Sequence, residues 1–113
     1  MHELGITQNL LKLALDHAEP AGARQITALY LVIGELSSVV DDSIQFYWDF
    51  IAKGTIADGA QLHFERIPAA FQCEACGTEF PRNEDYACPA CGSRHVHVIH
   101  GEEFYLKSIE VEE

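Results

Sequence analysis

A chain of 113 residues with 48% apolar content can bury one modest core and a metal-stapled satellite too small to fold without its ion. Seven Lys and Arg stand against eighteen Asp and Glu, and the charge of −11 weighs against nucleic-acid binding, which needs a basic footprint to displace counterions from phosphate. The longest apolar windows, Leu10 to Leu15 and Leu29 to Ile33, fall far below the ~20 residues that span a bilayer. The expectation is a soluble, cytoplasmic protein with no membrane partner.

Residues 4–18 place Leu4, Leu11, Leu15 and Ala18 on one helical stripe with Ile6, Leu10, Leu13 and Ala14 beside it, predicting an amphipathic helix that Pro20 and Gly22 end. From Ile26 to Ile33 the run is aliphatic on both faces, the pattern of a central strand covered on both sides, and Gly34 stops it. Asp41 or Asp42 is expected to cap a second helix in which Ile44, Tyr47, Trp48 and Ile51 share one face and Phe46 and Phe50 form its flank. Lys53 and Gly54 supply its C-terminal signals.

After the Asp58-Gly59 turn, Leu62, Phe64 and Ile67 alternate with Gln61, His63 and Glu65 as a strand with one wet face, broken by Pro68. Phe104 to Val111 predict a last strand whose apolar side switches between Leu106 and Ile109, through a bulge near Ser108 or through cover on both faces. The fold class is α+β. A small α/β domain, two helices on a three-stranded mixed sheet, takes residues 1–69 and 102–113, and an inserted Cys₄ zinc-ribbon-like domain takes residues 70–101.

The insert is marked by Cys73-x-x-Cys76 and Cys88-x-x-Cys91, with eleven residues between the pairs. Each C-x-x-C turn presents two thiolates to one ion, so two turns complete a tetrahedral Cys₄ shell for Zn²⁺. Gly77 and Gly92 follow the pairs and Pro89 stiffens the second turn, which suits knuckles that aim backbone N–H groups at sulfur. The spacer has room for two short strands and a turn. Two disulfides would need an oxidising compartment, and no secretory signal precedes the domain. A thioredoxin-like redox motif would stand alone at a helix N-terminus, whereas this one is doubled in a turn-rich stretch.

Met1-His2-Glu3 offers a second metal chemistry. The Met1 amine and the His2 amide nitrogen close a five-membered chelate ring, and that amide with His2 Nδ1 closes a six-membered one. Planar nitrogen donors suit Ni²⁺ or Cu²⁺ better than Zn²⁺. A fourth equatorial ligand must lie opposite the His2 amide, or the Glu3 amide displaces the terminal amine; the Glu3 carboxylate, Asp41, Asp42 and His63 are candidates for a remaining position. A bulky His2 is expected to hinder removal of Met1. Glu3 has a simpler role as well, since an acidic residue near a helix start complements the macrodipole.

Met1-His2-Glu3 at the start, Gly34-Glu35-Leu36-Ser37 after the first strand, and paired C-x-x-C motifs with a terminal strand beyond them together resemble the HypA/HybF family, nickel-insertion accessory proteins for [NiFe]-hydrogenase. The resemblance covers the whole chain. It implies a nickel metallochaperone with Ni(II) as transferred cargo, held by His2 with Met1 and Glu3 contributing main-chain or side-chain atoms. It implies a structural Zn(II) on Cys73, Cys76, Cys88 and Cys91. The partners implied are a HypB-like GTPase and the hydrogenase large-subunit precursor, with urease maturation served in some members.

The remaining candidates read as structural. His95 and His97 share one side of any strand there, and with His100 they are expected on a solvated face rather than as auxiliary metal ligands. His17 and His63 read as a helix-end residue and an exposed strand residue. Glu35 has no nucleophile or second acid beside it in sequence and reads as a cap or domain contact. With no phosphate-cradling glycine loop and no nucleophile elbow, the chain reads as a non-enzyme. The competing reading is a zinc-ribbon adaptor or nucleic-acid-binding module without a specific nickel role.

Overall fold

The computed structural model describes residues 3–113; Met1 and His2 lie outside the described residues. In chain order it contains α1 (Glu3–Ala18), β1 (Gln25–Gly34), α2 (Asp41–Ile51), β2 (Gln61–Ile67), β3 (Ala70–Cys73), β4 (Glu79–Pro81), β5 (Val96–His100) and β6 (Phe104–Glu112). The fold is mixed α+β, as the sequence predicts. The described residues divide into two compact units: one gathers residues 3–32 with Ser38–Glu65 and Tyr105–Glu113, the other Ile33–Ser37 with Arg66–Phe104.

In the first unit, β1 is the middle strand of a sheet ordered β2-β1-β6. Ile26 N–H donates to the Ile56 carbonyl, Tyr30 stacks on His63 and Glu35 N–H donates to the Ile67 carbonyl; the residue numbers rise together, so β1 and β2 run parallel. Arg24 N–H donates to the Glu112 carbonyl and Thr27 Oγ1 to that of Glu110, so β6 runs antiparallel. A mixed sheet results. Its central strand is buried from Ala28 to Gly34 except for half-buried Tyr30, which matches the aliphatic run on both faces.

The helices correct two details of the sequence reading. In α1 the buried line is Thr7, Leu10, Ala14 and Ala18, one step round from the expected stripe, and Leu4 and Leu13 are 41% and 46% exposed. Three of those four buried side chains are small, so this is the side on which another element can approach closely, and α1 packs against α2. In α2, Asp41 and Asp42 occupy the first turn instead of capping it; the cap position is Val40, extended and without a side-chain bond. The carboxylates still face the positive end of the helix dipole.

Ile44 and Trp48 are completely buried, and the Trp48 indole N–H finds no acceptor among the described residues. An orphaned N–H costs about 1–3 kcal/mol. Removing an indole of ~200 Å² from water at about 25 cal/mol/Å² gains more than that, so packing decides the position. Phe46 and Phe50, expected on the flank of the buried face, are instead exposed. On β6 the less exposed residues are Phe104, Leu106 and Ile109, so the inward side changes parity at Lys107-Ser108, where the sequence places the switch.

The second unit is a three-stranded sheet ordered β4-β3-β5, antiparallel throughout, with Phe71 opposite Phe80 on one side and Val98 on the other. Its core is Ala69, Phe71, Cys73, Phe80 and Cys88, packed by Leu36, Val96 and Val98. Between the cysteine pairs the chain forms only the three residues of β4, not two strands. The rest of that spacer is spent on a turn: Asn83 Nδ2 donates to the Ala87 carbonyl, and Tyr86, at φ 51°, sets its ring edge-on to Phe71.

The Gly34-Glu35-Leu36-Ser37 segment ties the two ends of this unit together. Gly34 N–H donates to the Glu103 carbonyl, Glu35 N–H to that of Ile67 and Leu36 N–H to that of Gly101, at 2.7–2.8 Å. The Glu35 carboxylate accepts from Ala69 N–H at 2.7 Å and lies 3.6 Å from Arg82. Glu35 is thus a structural clamp.

Candidate metal centre

The two C-x-x-C turns fold as copies of each other. Gly77 N–H donates to the Cys73 carbonyl at 2.9 Å and Gly92 N–H to the Cys88 carbonyl at 2.8 Å, closing each turn, and both glycines take positive φ (79° and 76°) that a side chain would oppose. Cys73 N–H then donates to Thr78 and Cys88 N–H to Ser93. Inside each turn a backbone N–H points at the first sulfur, Ala75 to Cys73 Sγ at 3.3 Å and Ala90 to Cys88 Sγ at 3.4 Å. Cys73 and Cys88 are buried while Cys76 and Cys91 are exposed, so each turn gives one inner and one outer sulfur.

Across the turns, Cys73 Sγ lies 3.5 Å from Cys91 Sγ, and Cys76 Sγ 3.5 Å from Cys88 Sγ; all four sulfurs fall within 4.8 Å of one another. A disulfide would need about 2.05 Å. A tetrahedron of sulfurs about 2.3 Å from a central ion has edges of about 3.8 Å, so the quartet has the size of a tetrathiolate metal site. Among the described residues it is the one cluster of three or more His, Cys, Asp or Glu close enough to share an ion.

The proton affinities of the sulfurs point the same way. The Thr78 hydroxyl, 3.1 Å from Cys76 Sγ, and the Thr78 N–H favour the Cys76 thiolate and lower its pKa to about 6. N–H groups of Cys76 and Ala75 pull Cys73 down against burial. Ser93 N–H favours the thiolate at Cys91, but Cys73, burial and the other two sulfurs outweigh it and push that thiol up to about 12. Negative charge therefore accumulates on some sulfurs and is resisted on the last, an imbalance that a divalent cation among the four removes.

Thr78 and Ser93 were not singled out in the sequence, although a signal for them is there: each cysteine pair is followed by Gly and then a hydroxyl residue, Cys76-Gly77-Thr78 and Cys91-Gly92-Ser93. The histidines lie apart from the sulfurs' own shell and are exposed. His95 precedes β5, His97 stands 3.7 Å from Glu74, and His100 stands 3.3 Å from Glu103. His63 stacks on Tyr30, and His17 is in the last turn of α1. At the other end of the chain, Glu3 opens α1, with Thr7 Oγ1 donating to its carbonyl at 2.6 Å. Met1 and His2, expected to provide nickel ligands, lie outside the described residues.

A family model described as hydrogenase/urease nickel incorporation, metallochaperone, HypA, matches residues 1–111. The chain belongs to the HypA family. The HypA hydrogenase maturation factor of Dehalococcoides mccartyi is 46% identical over 114 residues, covering 100% of this chain and 96% of the relative. That of Caldanaerobacter subterraneus subsp. tengcongensis is 41% identical over 99% of this chain and its own full length. The solution structure of the nickel metallochaperone HypA from Helicobacter pylori superposes with a TM-score of 0.68 at 25% identity, over 98% of this chain and 97% of that one. Another HypA solution structure, at 24% identity, shares the fold with a TM-score of 0.78 over 99% of this chain and 97% of its own. HypA proteins serve nickel incorporation as maturation factors and are not enzymes, which agrees with the clamp role of Glu35. Among the described residues no helix is long and apolar enough to cross a membrane.

Proposed function

We propose that the chain carries Ni(II) as cargo at Met1, His2 and Glu3 and hands it to the [NiFe]-hydrogenase large-subunit precursor together with a HypB-like GTPase, in the cytoplasm. The observation that carries this reading is the match of residues 1–111 to a family model described as nickel incorporation and metallochaperone. A terminal amine, a deprotonated amide and an imidazole give Ni²⁺ the planar nitrogen donors it favours. Few protein ligands at a chain end also allow exchange one ligand at a time, as delivery requires.

In this reading Cys73, Cys76, Cys88 and Cys91 hold Zn(II). The ion supplies charge neutralisation and a cross-link, and no open position for chemistry. The chain's own part is done by the Ala75, Ala90, Thr78 and Ser93 groups that orient the sulfurs. Residues 1–69 with 102–113 act as the nickel-carrying domain and residues 70–101 as the zinc domain. Urease maturation proteins are further recipients that the family's description allows.

The test is a Ni²⁺ titration of untagged, zinc-loaded protein followed by its visible spectrum. A band of planar coordination is expected. His2→Ala should weaken binding by at least roughly tenfold, about 1.4 kcal/mol, while zinc content stays at one per chain. An extension before Met1 should act in the same way, because it removes the free amine. Unchanged nickel affinity in both would falsify the assignment.

A further inference from the structure

We propose that the outward face of α2 is a docking surface for a partner protein whose contact segment is apolar and basic. At about 100° per residue, Phe46 and Phe50 lie about 120–160° round the helix from Ile44 and Trp48, so they cannot enter the interface that buries those two. They are four residues apart, adjacent on one face, and 67% and 72% exposed. Tyr47 meets Phe46 edge-on at 5.3 Å between centroids, and Lys53 Nζ sits 6.0 Å from the Phe50 centroid. Two neighbouring phenylalanines held open to water on a helix form the kind of aromatic pair that anchors protein interfaces.

Charge selects the occupant. Asp42 and Asp49 are exposed on the same side of the helix, and Gln45 holds the Asp49 carboxylate at 2.8 Å; with Lys53 over the Phe50 ring offsetting one of the two charges, the border of the apolar pair is still net acidic. A second copy of this chain would bring the same carboxylates against each other on two molecules of charge −11, and an anionic lipid surface would meet the same repulsion. Apolar side chains ringed by Lys or Arg meet both the rings and the carboxylates. This surface lies on described residues and stands whatever the fate of the nickel assignment.

The experiment titrates ¹⁵N-labelled, zinc-loaded full-length protein with an amphipathic helical peptide of about 18 residues, five turns, built from Leu and Lys, and with its Leu and Glu counterpart. The Leu–Lys peptide should shift the amide resonances of residues 42–53 saturably, and the Leu–Glu peptide should not. Phe46→Ser with Phe50→Ser should weaken the Leu–Lys peptide at least tenfold with circular dichroism unchanged, since both side chains are exposed. Asp42→Lys with Asp49→Lys should reverse the preference between the peptides. Equal binding by the serine variant, or shifts centred outside α2, overturns the proposal. So does concentration-dependent dimerisation, or co-sedimentation with phosphatidylglycerol vesicles, that the serine variant abolishes; these would assign the face to a second copy or to lipid.

Discussion

At Gly34 the absence of a side chain is a steric requirement, because a Cβ there would stand 2.0 Å from the Gly101 carbonyl oxygen and 2.7 Å from the Glu102 amide nitrogen. Both obstacles are backbone, and neither can rotate away. Gly101 is equally constrained, with φ at +116° and a Cβ position 2.9 Å from Ala69 Cα. Gly34→Ala must therefore push the chain apart where three amide hydrogen bonds close the second unit. The expected loss is roughly 2–4 kcal/mol in urea unfolding of zinc-loaded protein; a loss below about 1 kcal/mol would mean that the backbone relaxes freely around a methyl group. Glu103 guards the same junction. Its own N–H, then that of Gly101 at 2.7 Å, with His100 adding, hold the carboxyl below its ordinary 4.5. A carboxylate depressed by folding stabilises the fold above 4.5 and loses that contribution as pH falls through its folded value. Glu103→Gln should accordingly be less stable than wild type at pH 7, with the gap closing below pH 4.5. Zinc release at low pH affects both proteins, so the difference between their urea midpoints is the reading, and a gap that stays constant with pH would refute the role.

At the scale of elements, what could be read from sequence depended on whether the pattern left one physical solution. The Ile26 to Ile33 run admits little but a central strand, and β1 is that. The cysteine spacing admits a compact quartet, and the sulfurs converge. Apolar residues on α1 outnumber those the core has room for, so the choice of buried stripe fell to packing, which favoured the small Thr7, Ala14 and Ala18. In α2 the helical spacing placed Ile44 and Trp48 on the buried face, where they are, but nothing in the hydrophobicity of Phe46 and Phe50 told that they face water. The Gly34 to Ser37 segment was legible as a motif but not as a clamp, because its partners at Ile67, Ala69 and Gly101 are distant in sequence. The second unit has a core of five residues, two of them cysteines. Structural zinc contributes on the order of 10 kcal/mol in small domains, so chelation should unfold β3, β4 and β5 while α1, β1 and α2 persist. Amide spectra before and after excess EDTA at neutral pH test this: retention of the β3–β5 signals, with zinc shown to be gone, would leave the ion without a folding role. Cys88→Ser, at a buried sulfur, should reproduce the chelated spectrum.

For the whole molecule, net charge is the property that every element shares. Four thiolates at −1 and one Zn²⁺ at +2 change −11 by a further −2, so the zinc-loaded chain carries −13 before any histidine is protonated. That field raises the local concentration of divalent cations and works against DNA, RNA and anionic lipid. It should appear in the kinetics of nickel capture rather than in the coordination bonds. Capture of hydrated Ni²⁺ proceeds through an outer-sphere encounter and then loss of bound water; salt screens the first step and leaves the second alone. The Debye length falls from about 10 Å at 0.1 M to about 3 Å at 1 M, so the association rate constant should drop severalfold across that range while the dissociation rate constant changes little. Stopped-flow mixing of untagged, zinc-loaded protein with Ni²⁺ at the two ionic strengths separates the two constants. An association rate indifferent to salt would show that the −13 of the zinc-loaded chain is distributed too far from the capture site to act on the ion, and the charge would then serve solubility and partner choice alone.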